Sequence, residues 1–192
     1  HPMLKGFYYR LYFGITMCNF YLTEAADYDA TMTAEIRFLR AMYYYHLMDC
    51  FGNIPFLTEV SSDPAPQVSR NEVYNFIETE LLEIESQLVT PMTGTYGRAD
   101  QAAAWILLSR LYLNAEVYTG TAQWAKAAEY AKKVMNSAYK LHTTPKNGWS
   151  AYQMLFMGDN GENGAQCEAI LPLLQDGLTT TSWGTSLFLM AS

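Results

Sequence analysis

Trp183 stands in the string Thr179-Thr180-Thr181-Ser182-Trp183-Gly184-Thr185, one indole among hydroxyls and glycine. Those residue types suit the recognition of a sugar ring. A pyranose offers an apolar face of C–H groups and an edge of hydroxyls. An indole face stacks on the first, and Ser, Thr or Asn side chains hydrogen-bond the second. Trp183 and Thr185 are therefore candidate glycan contacts; the competing reading of Trp183 is a loop residue that covers the core. Trp149 and Tyr152, in Lys146-Asn147-Gly148-Trp149-Ser150-Ala151-Tyr152, have similar surroundings and form a second candidate pair. Tyr152 also suits the start of a short amphipathic segment with Leu155 and Phe156. Trp105 and Trp124 fall on the faces of helical repeats and read as structural. Aromatic residues make up 15% of the chain, but most lie on helical stripes, so their number alone does not argue for a sugar site. The position of Trp149 and Trp183 outside the helices does.

Asp159-Asn160-Gly161-Glu162-Asn163-Gly164 interleaves oxygen ligands with glycines. Calcium takes six to eight oxygens in flexible geometry, so Asp159 and Glu162 are the metal ligands to consider. The spacing is not that of an EF-hand, because Ile170 occupies the twelfth position. A solvated turn explains the same residues, and no other cofactor is expected. Hydrolysis of a glycoside would call for two carboxylates facing across a cleft. Glu72, Glu78, Glu80, Glu83 and Glu85 share one helix and read as a solvated face. Glu35 and Asp49 lie near Arg37, Arg40 and His46, where salt bridges and core hydrogen bonds account for them. His1, His46 and His142 make no evident triad with a nucleophile. Neither a phosphate-binding P-loop nor a GxGxxG string occurs. The sequence shows no catalytic constellation. Cys18, Cys50 and Cys167 are too widely spaced for a disulfide framework. Cys18 and Cys50 fall in helical patterns and read as buried thiols.

The formal net charge of −7 over 192 residues argues against nucleic acid, which needs a basic surface. It also disfavours adhesion of the protein surface to an anionic membrane. With half the residues apolar and a mean hydropathy near zero, the chain reads as a globular domain with a sizeable core. No apolar run approaches a membrane span, and His1-Pro2 leads straight into an amphipathic pattern instead of a secretion signal. The non-Met start and the apolar end, Leu187 to Ser192, read as a piece of a longer polypeptide.

Five helices position these candidates. The first keeps one face through Leu4, Phe7, Tyr8, Leu11, Ile15, Cys18 and Leu22. The second begins after Thr33 as N-cap and carries two adjacent stripes, Phe38-Met42-Tyr45 and Leu39-Tyr43-Leu47. Gly52 is expected to supply a left-handed C-terminal cap, and Pro55 prevents continuation. Tyr43, Tyr44 and Tyr45 point in three directions, so at least one must meet a polar partner. The third helix starts at a capping box, Ser69-Arg70-Asn71-Glu72, and runs to Leu88. The fourth spans about 99–118, and the fifth carries Trp124, Ala127, Ala128, Ala131 and Met135. Trp105, Leu108, Ser109, Tyr112 and Ala127 fit a tetratricopeptide repeat, although the stretch from Tyr112 to Trp124 is about six residues too long. After Leu141 the periodicity fades into a loop-rich portion, with a short extended run over 168–174 and a turn at Gln175-Asp176-Gly177. The expected fold is mostly α: tetratricopeptide-like helical hairpins over 1–140, with an irregular, loop-rich C-terminal portion of the same domain over 141–192.

The string from Glu35-Ile36-Arg37-Phe38-Leu39-Arg40-Ala41 through Phe51-Gly52-Asn53-Ile54-Pro55 resembles the signature of the SusD/RagB-like family of surface glycan-binding lipoproteins. The resemblance implies a non-catalytic protein that binds an oligosaccharide or polysaccharide. It would deliver its ligand to a SusC-like TonB-dependent transporter on the extracellular face of the outer membrane. Membrane association would come only through an N-terminal lipid that this chain does not contain. Ile15-Thr16-Met17-Cys18-Asn19, the signature helix and Leu155-Phe156-Met157-Gly158-Asp159-Asn160 are most similar to members that bind starch-like maltooligosaccharides. Much of the sugar platform in those relatives would precede His1. The alternative is a tetratricopeptide-type scaffold for protein–protein interaction.

Overall fold

Helix α1 (Pro2–Glu24) starts with proline in its first turn, where a missing N–H costs nothing. The computed structural model describes residues 1–175 and 178. Helix α2 (Ala30–Phe51) begins earlier than the Thr33 cap predicts. Asp29 caps it, accepting from the Met32 amide at 2.9 Å, and the Thr33 hydroxyl turns back to the Ala26 carbonyl. Leu11, Ile15 and Cys18 on α1 are buried, as are Phe38, Ala41, Tyr44, Tyr45 and Met48 on α2. Contacts between Tyr8 and Phe51 and between Asn19 and Arg40 show that the two helices run antiparallel.

Two short strands, β1 (Ile54–Pro55) and β2 (Gln67–Val68), pair antiparallel and close the loop between α2 and α3 (Arg70–Ile84). Of the three consecutive tyrosines, Tyr44 takes the backbone of Leu57 as its polar partner. Its hydroxyl donates to the Leu57 carbonyl at 2.6 Å and accepts from the Leu57 amide at 3.0 Å. The predicted capping box of α3 is present, with Ser69 and Glu72 each satisfying the other's backbone N–H. The helix ends at Ile84, and Leu88 enters the core from the following turn.

The expected fourth helix is two helices, α4 (Gln101–Leu113) and α5 (Ala115–Thr119), broken at Asn114. Gly120, in the left-handed conformation, ends α5, and α6 (Trp124–Met135) returns along α4. The Ser109 hydroxyl donates to the Ala127 carbonyl at 2.9 Å, and the Tyr112 and Tyr130 rings lie 5.6 Å apart. The α4–α6 hairpin is thus the repeat predicted from Trp105, Ser109, Tyr112 and Ala127. Its surplus residues form α5, whose Tyr118 hydroxyl donates to Asp49. Together the helices form a stack with α1 at one end and α6 at the other, and one continuous core runs through it.

Three expectations fail on burial. Cys50 is exposed at the last turn of α2, whereas Cys18 is buried and burial pushes its thiol up to about 11. Trp124 is 61% exposed at the start of α6, so it is no core residue; Trp105 is half-buried and its indole N–H donates to Glu85. Glu80 leaves the supposed solvated face of α3 and is buried between Arg37 and Arg40.

Among the described residues past α6, the backbone is irregular apart from α7 (Ala151–Met154) and a 3-10 turn over Ala165–Glu168. That turn and irregular backbone replace the extended run predicted over 168–174. Trp183, Thr185 and most of the turn predicted at 175–177 lie outside the described residues. Among the described residues, no helix is long and apolar enough to cross a membrane.

Candidate functional site

Lys146 and Trp149 exchange backbone hydrogen bonds across Asn147 and Gly148, both at positive φ. Two such residues in succession make the tight turn in which Asn-Gly is preferred, and the turn lifts Trp149 to the surface. The indole is half exposed. Directly after it, Ser150 caps α7 and Gln153 returns the bond to the Ser150 amide. Tyr152 on the short helix and Phe156 in the turn that follows it have ring centroids 5.1 Å apart and are tilted by 64°. These rings are 70% and 72% exposed, while Met154 between them is buried. Packing of Tyr152 and Phe156 into a core is therefore not what the structure shows. Trp149, Tyr152 and Phe156 present three aromatic rings to solvent within one turn-helix unit. Phe156 was not predicted as part of the site. Part of the signal was available in Ser150-Ala151-Tyr152-Gln153, a capping box that starts a helical turn leading to Phe156.

An open groove of about 480 Å³ adjoins this unit. Lys140, His142, Thr143, Thr144, Lys146 and Asn163 line it, and Lys146 belongs to the Trp149 turn. Hydroxyl, amide and ammonium groups thus line a groove that meets this unit at Lys146 and Met154. Among the described residues the buried Nε2 of His142 has no hydrogen-bond partner. The arrangement offers apolar faces for stacking and, in the adjoining groove, hydroxyl, amide and ammonium groups among apolar ones.

The Asp159–Gly164 loop is held by its own side chains. Asn163 donates to the Met154 carbonyl and to the Asp159 carboxylate, and accepts from the Ala165 amide. Asn160 donates to the Leu155 carbonyl. Glu162 is exposed. Among the described residues no three His, Cys, Asp or Glu side chains gather closely enough to hold a metal ion.

A buried carboxylate fastens this portion to the helices. Asp100 caps α4 by accepting from the Ala103 amide, and its second oxygen accepts from the Met92 amide and the Tyr139 hydroxyl. Burial, then the adjoining Asp100, pushes the Tyr139 phenol well above its usual range. From Tyr139 the chain continues into Lys140, whose amide donates to Cys167, and His142, whose amide donates to Glu168. Tyr139→Phe is expected to cost about 1.5–3 kcal/mol, the value of a hydrogen bond to a charged acceptor. Amide exchange at Lys140 and His142 should accelerate with it. Unchanged exchange at both would remove Tyr139 as the fastening.

A family model of SusD-like proteins, described as starch-binding and associating with the outer membrane, matches residues 3–113. The chain belongs to the SusD-like family. It is 46% identical over 188 residues to Starch-binding protein SusD of Bacteroides thetaiotaomicron, an alignment covering 95% of this chain and 33% of that protein. Among solved structures, a laminarin-binding SusD-like protein matches 93% of this chain and 39% of its own, with a TM-score of 0.72 and 26% identity. A crystal structure with xylogluco-oligosaccharide matches 89% of this chain and 35% of its own, with a TM-score of 0.74 and 25% identity. This SusD-like chain spans about a third of the length of each of these relatives. Family resemblance and the helical expectation from the sequence therefore agree with the comparisons.

Proposed function

We propose that this chain is part of a non-catalytic surface protein that binds starch-like maltooligosaccharides and passes them to a TonB-dependent outer-membrane transporter. The observation that carries this reading is the 46% identity to a starch-binding relative across nearly the whole chain. The exposed rings of Trp149, Tyr152 and Phe156, and the hydroxyl, amide and ammonium groups of the groove that shares Lys146 with their turn, supply the matching chemistry. Residues 1–140 serve as scaffold and 141–192 as the ligand-presenting portion of the same domain. Trp183 and Thr185 belong to that portion in this reading, and Asp159 and Glu162 are its first calcium ligands to test. The transporter is the protein partner, and an N-terminal lipid beyond this chain holds the assembly at the outer membrane.

A few stacks with supporting hydrogen bonds give roughly −4 to −7 kcal/mol, on the order of millimolar to ten micromolar. Such affinity permits release into a transporter. Affinity electrophoresis tests it directly: amylopectin in the gel should retard the protein more than laminarin or xyloglucan. Equal mobility in all gels, with and without polysaccharide, would overturn the binding reading. Turnover of maltooligosaccharides that survives purification and is lost on changing one Asp or Glu would overturn the non-catalytic one.

Trp149→Ala and Trp183→Ala should each weaken retention about fivefold, the loss of one stack worth about 1 kcal/mol. Neither should change the melting temperature by more than about 2 °C, since surface substitutions seldom cost more than about 0.5 kcal/mol. Wild-type retention in either variant removes that indole from the site.

A further inference from the structure

Asn147-Gly148, Asn160-Gly161 and Asn163-Gly164 all fall in the portion beyond α6. In an Asn-Gly pair the glycine amide can reach the asparagine side chain with least hindrance, because no Cβ stands in its way. The three pairs share that dipeptide, but the fold treats them differently. Asn160 donates to the Leu155 carbonyl at 2.8 Å. Asn163 donates to the Met154 carbonyl and the Asp159 carboxylate and accepts from the Ala165 amide, so both ends of its side-chain amide are held. The Gly164 amide is itself engaged by the Gln166 side chain at 2.8 Å. Asn147 is exposed, and among the described residues neither its side chain nor the Gly148 amide makes a hydrogen bond.

We infer that Asn147 is a site of spontaneous deamidation and isoaspartate formation, selected by the fold over Asn160 and Asn163. The Gly148 backbone nitrogen attacks the Asn147 side-chain carbonyl carbon and gives up its proton. The side-chain nitrogen leaves as ammonia, and a succinimide ring closes. Water then opens the ring. Cleavage between the Gly148 nitrogen and the side-chain carbon yields aspartate; cleavage between that nitrogen and the backbone carbonyl carbon yields isoaspartate. The net change is amide and water to carboxylate and ammonium, with no oxidant or reductant. The two products act differently on the turn that presents Trp149. Asn147 and Gly148 have φ of +53° and +81°, and a two-residue turn of this kind needs positive φ at both. Aspartate tolerates that conformation as asparagine does, so the α-linked product keeps the turn. Isoaspartate inserts a methylene into the backbone, and Lys146 and Trp149 can no longer exchange both of their hydrogen bonds. The modification therefore limits the lifetime of the Trp149 stacking face. That consequence rests on the glycan-binding reading, whereas the chemistry at Asn147 does not.

Ageing of the folded natural polypeptide in mildly alkaline buffer at physiological temperature, followed by peptide mapping with electron-transfer fragmentation, tests this. Asn147 should convert at least fivefold faster than Asn160 and Asn163, with isoaspartate as the main product. A smaller margin, or faster conversion at either of the other two, would overturn the inference. In urea the margin should collapse, since only the fold separates the three pairs. The same fivefold margin in urea would overturn the selection by structure. Retention in amylopectin gels is the second readout. Protein carrying isoaspartate at position 147 should lose about as much retention as Trp149→Ala, while Asn147→Asp stays within twofold of fresh protein. Full retention after isoaspartate formation would overturn the consequence for Trp149. Fresh protein that is not retained at all would fail the binding reading alone, and the peptide map would still decide the chemistry at Asn147.

Discussion

Glu80→Ala is expected to destabilise the fold by about 3–5 kcal/mol, the cost of removing one partner from a buried ionic network. Glu80 is buried on α3 and accepts from Arg37 at 2.7 and 3.2 Å and from Arg40 at 3.0 Å. Arg40, also buried, donates onward to the Asn19 side chain and the Thr58 carbonyl, both at 3.0 Å. Asn19 in turn donates to the Leu57 and Glu59 carbonyls. One carboxylate therefore joins α1, α2, α3 and the segment after β1. Alanine would leave two guanidinium groups without that counter-charge, one of them with a side chain only 8% exposed. For a domain of this size the loss corresponds to a drop on the order of 10 °C in melting temperature. Burial alone raises the Glu80 carboxyl, but the hydrogen bonds and charges of Arg37 and Arg40 together outweigh it and hold the group below its ordinary range. A depressed carboxylate stabilises the fold at pH values above its unfolded pKa, near 4.3, and loses that contribution as pH falls further. The melting-temperature gap between wild type and Glu80→Ala should thus be full at pH 6–7 and narrow below about pH 4. A gap independent of pH would sink the assignment of Glu80 as an ionised hub.

Helix type and order were legible because periodicity and caps are local properties. Ser69 with Glu72, Ser109 with Ala127 and the Gly120 break all lie where the spacing puts them. Glu80 was misread for a physical reason. A glutamate on a charged helix face looks the same in sequence whether its partner is water or an arginine about 40 positions away. The α2 boundary shifted because Asp29 and Thr33 are both competent caps, and which one is used depends on where the chain leaves α1. Cys50 and Trp124 follow the helical period, but period places a residue on a face without saying whether a neighbour covers it. Strands of two residues have no periodicity to read. At the candidate site, Trp149 and Tyr152 were singled out from their sequence surroundings. Phe156 emerges only once the turn after α7 places it beside Tyr152.

Gly52→Val is expected to cost about 2–3 kcal/mol, and it tests what the family signature does. Gly52 has φ +75° and ψ −113°, a conformation that side chains with a β-branch resist strongly. The turn cannot relax easily, because each flanking residue is committed. Phe51 packs edge-on against Tyr8 at 5.2 Å, and the Gly52 amide donates to Met48. The Asn53 side chain accepts from the Arg70 amide at 2.9 Å, tying the turn to the start of α3. Ile54 is buried, and the Pro55 carbonyl accepts from the Tyr12 hydroxyl at 2.7 Å. A Cβ at position 52 would also stand 3.1 Å from the Arg70 guanidinium. That group is the end of a flexible side chain and can swing aside at the cost of its bond to the Val117 carbonyl. Strain in the backbone is therefore the larger part of the penalty. Gly120 provides the comparison, with φ +80° and open space around its Cα. Gly120→Ala should cost about 1 kcal/mol, from conformation alone. Urea denaturation of both variants separates the cases. Equal losses, or a Gly52→Val protein as stable as wild type, would show that the turn after α2 tolerates an ordinary residue. Phe51-Gly52-Asn53-Ile54-Pro55 would then need an explanation other than the architecture it holds. If the larger loss is found, the signature is a structural clamp between α1, α2 and α3, and the recognition chemistry is left to the loops beyond α6.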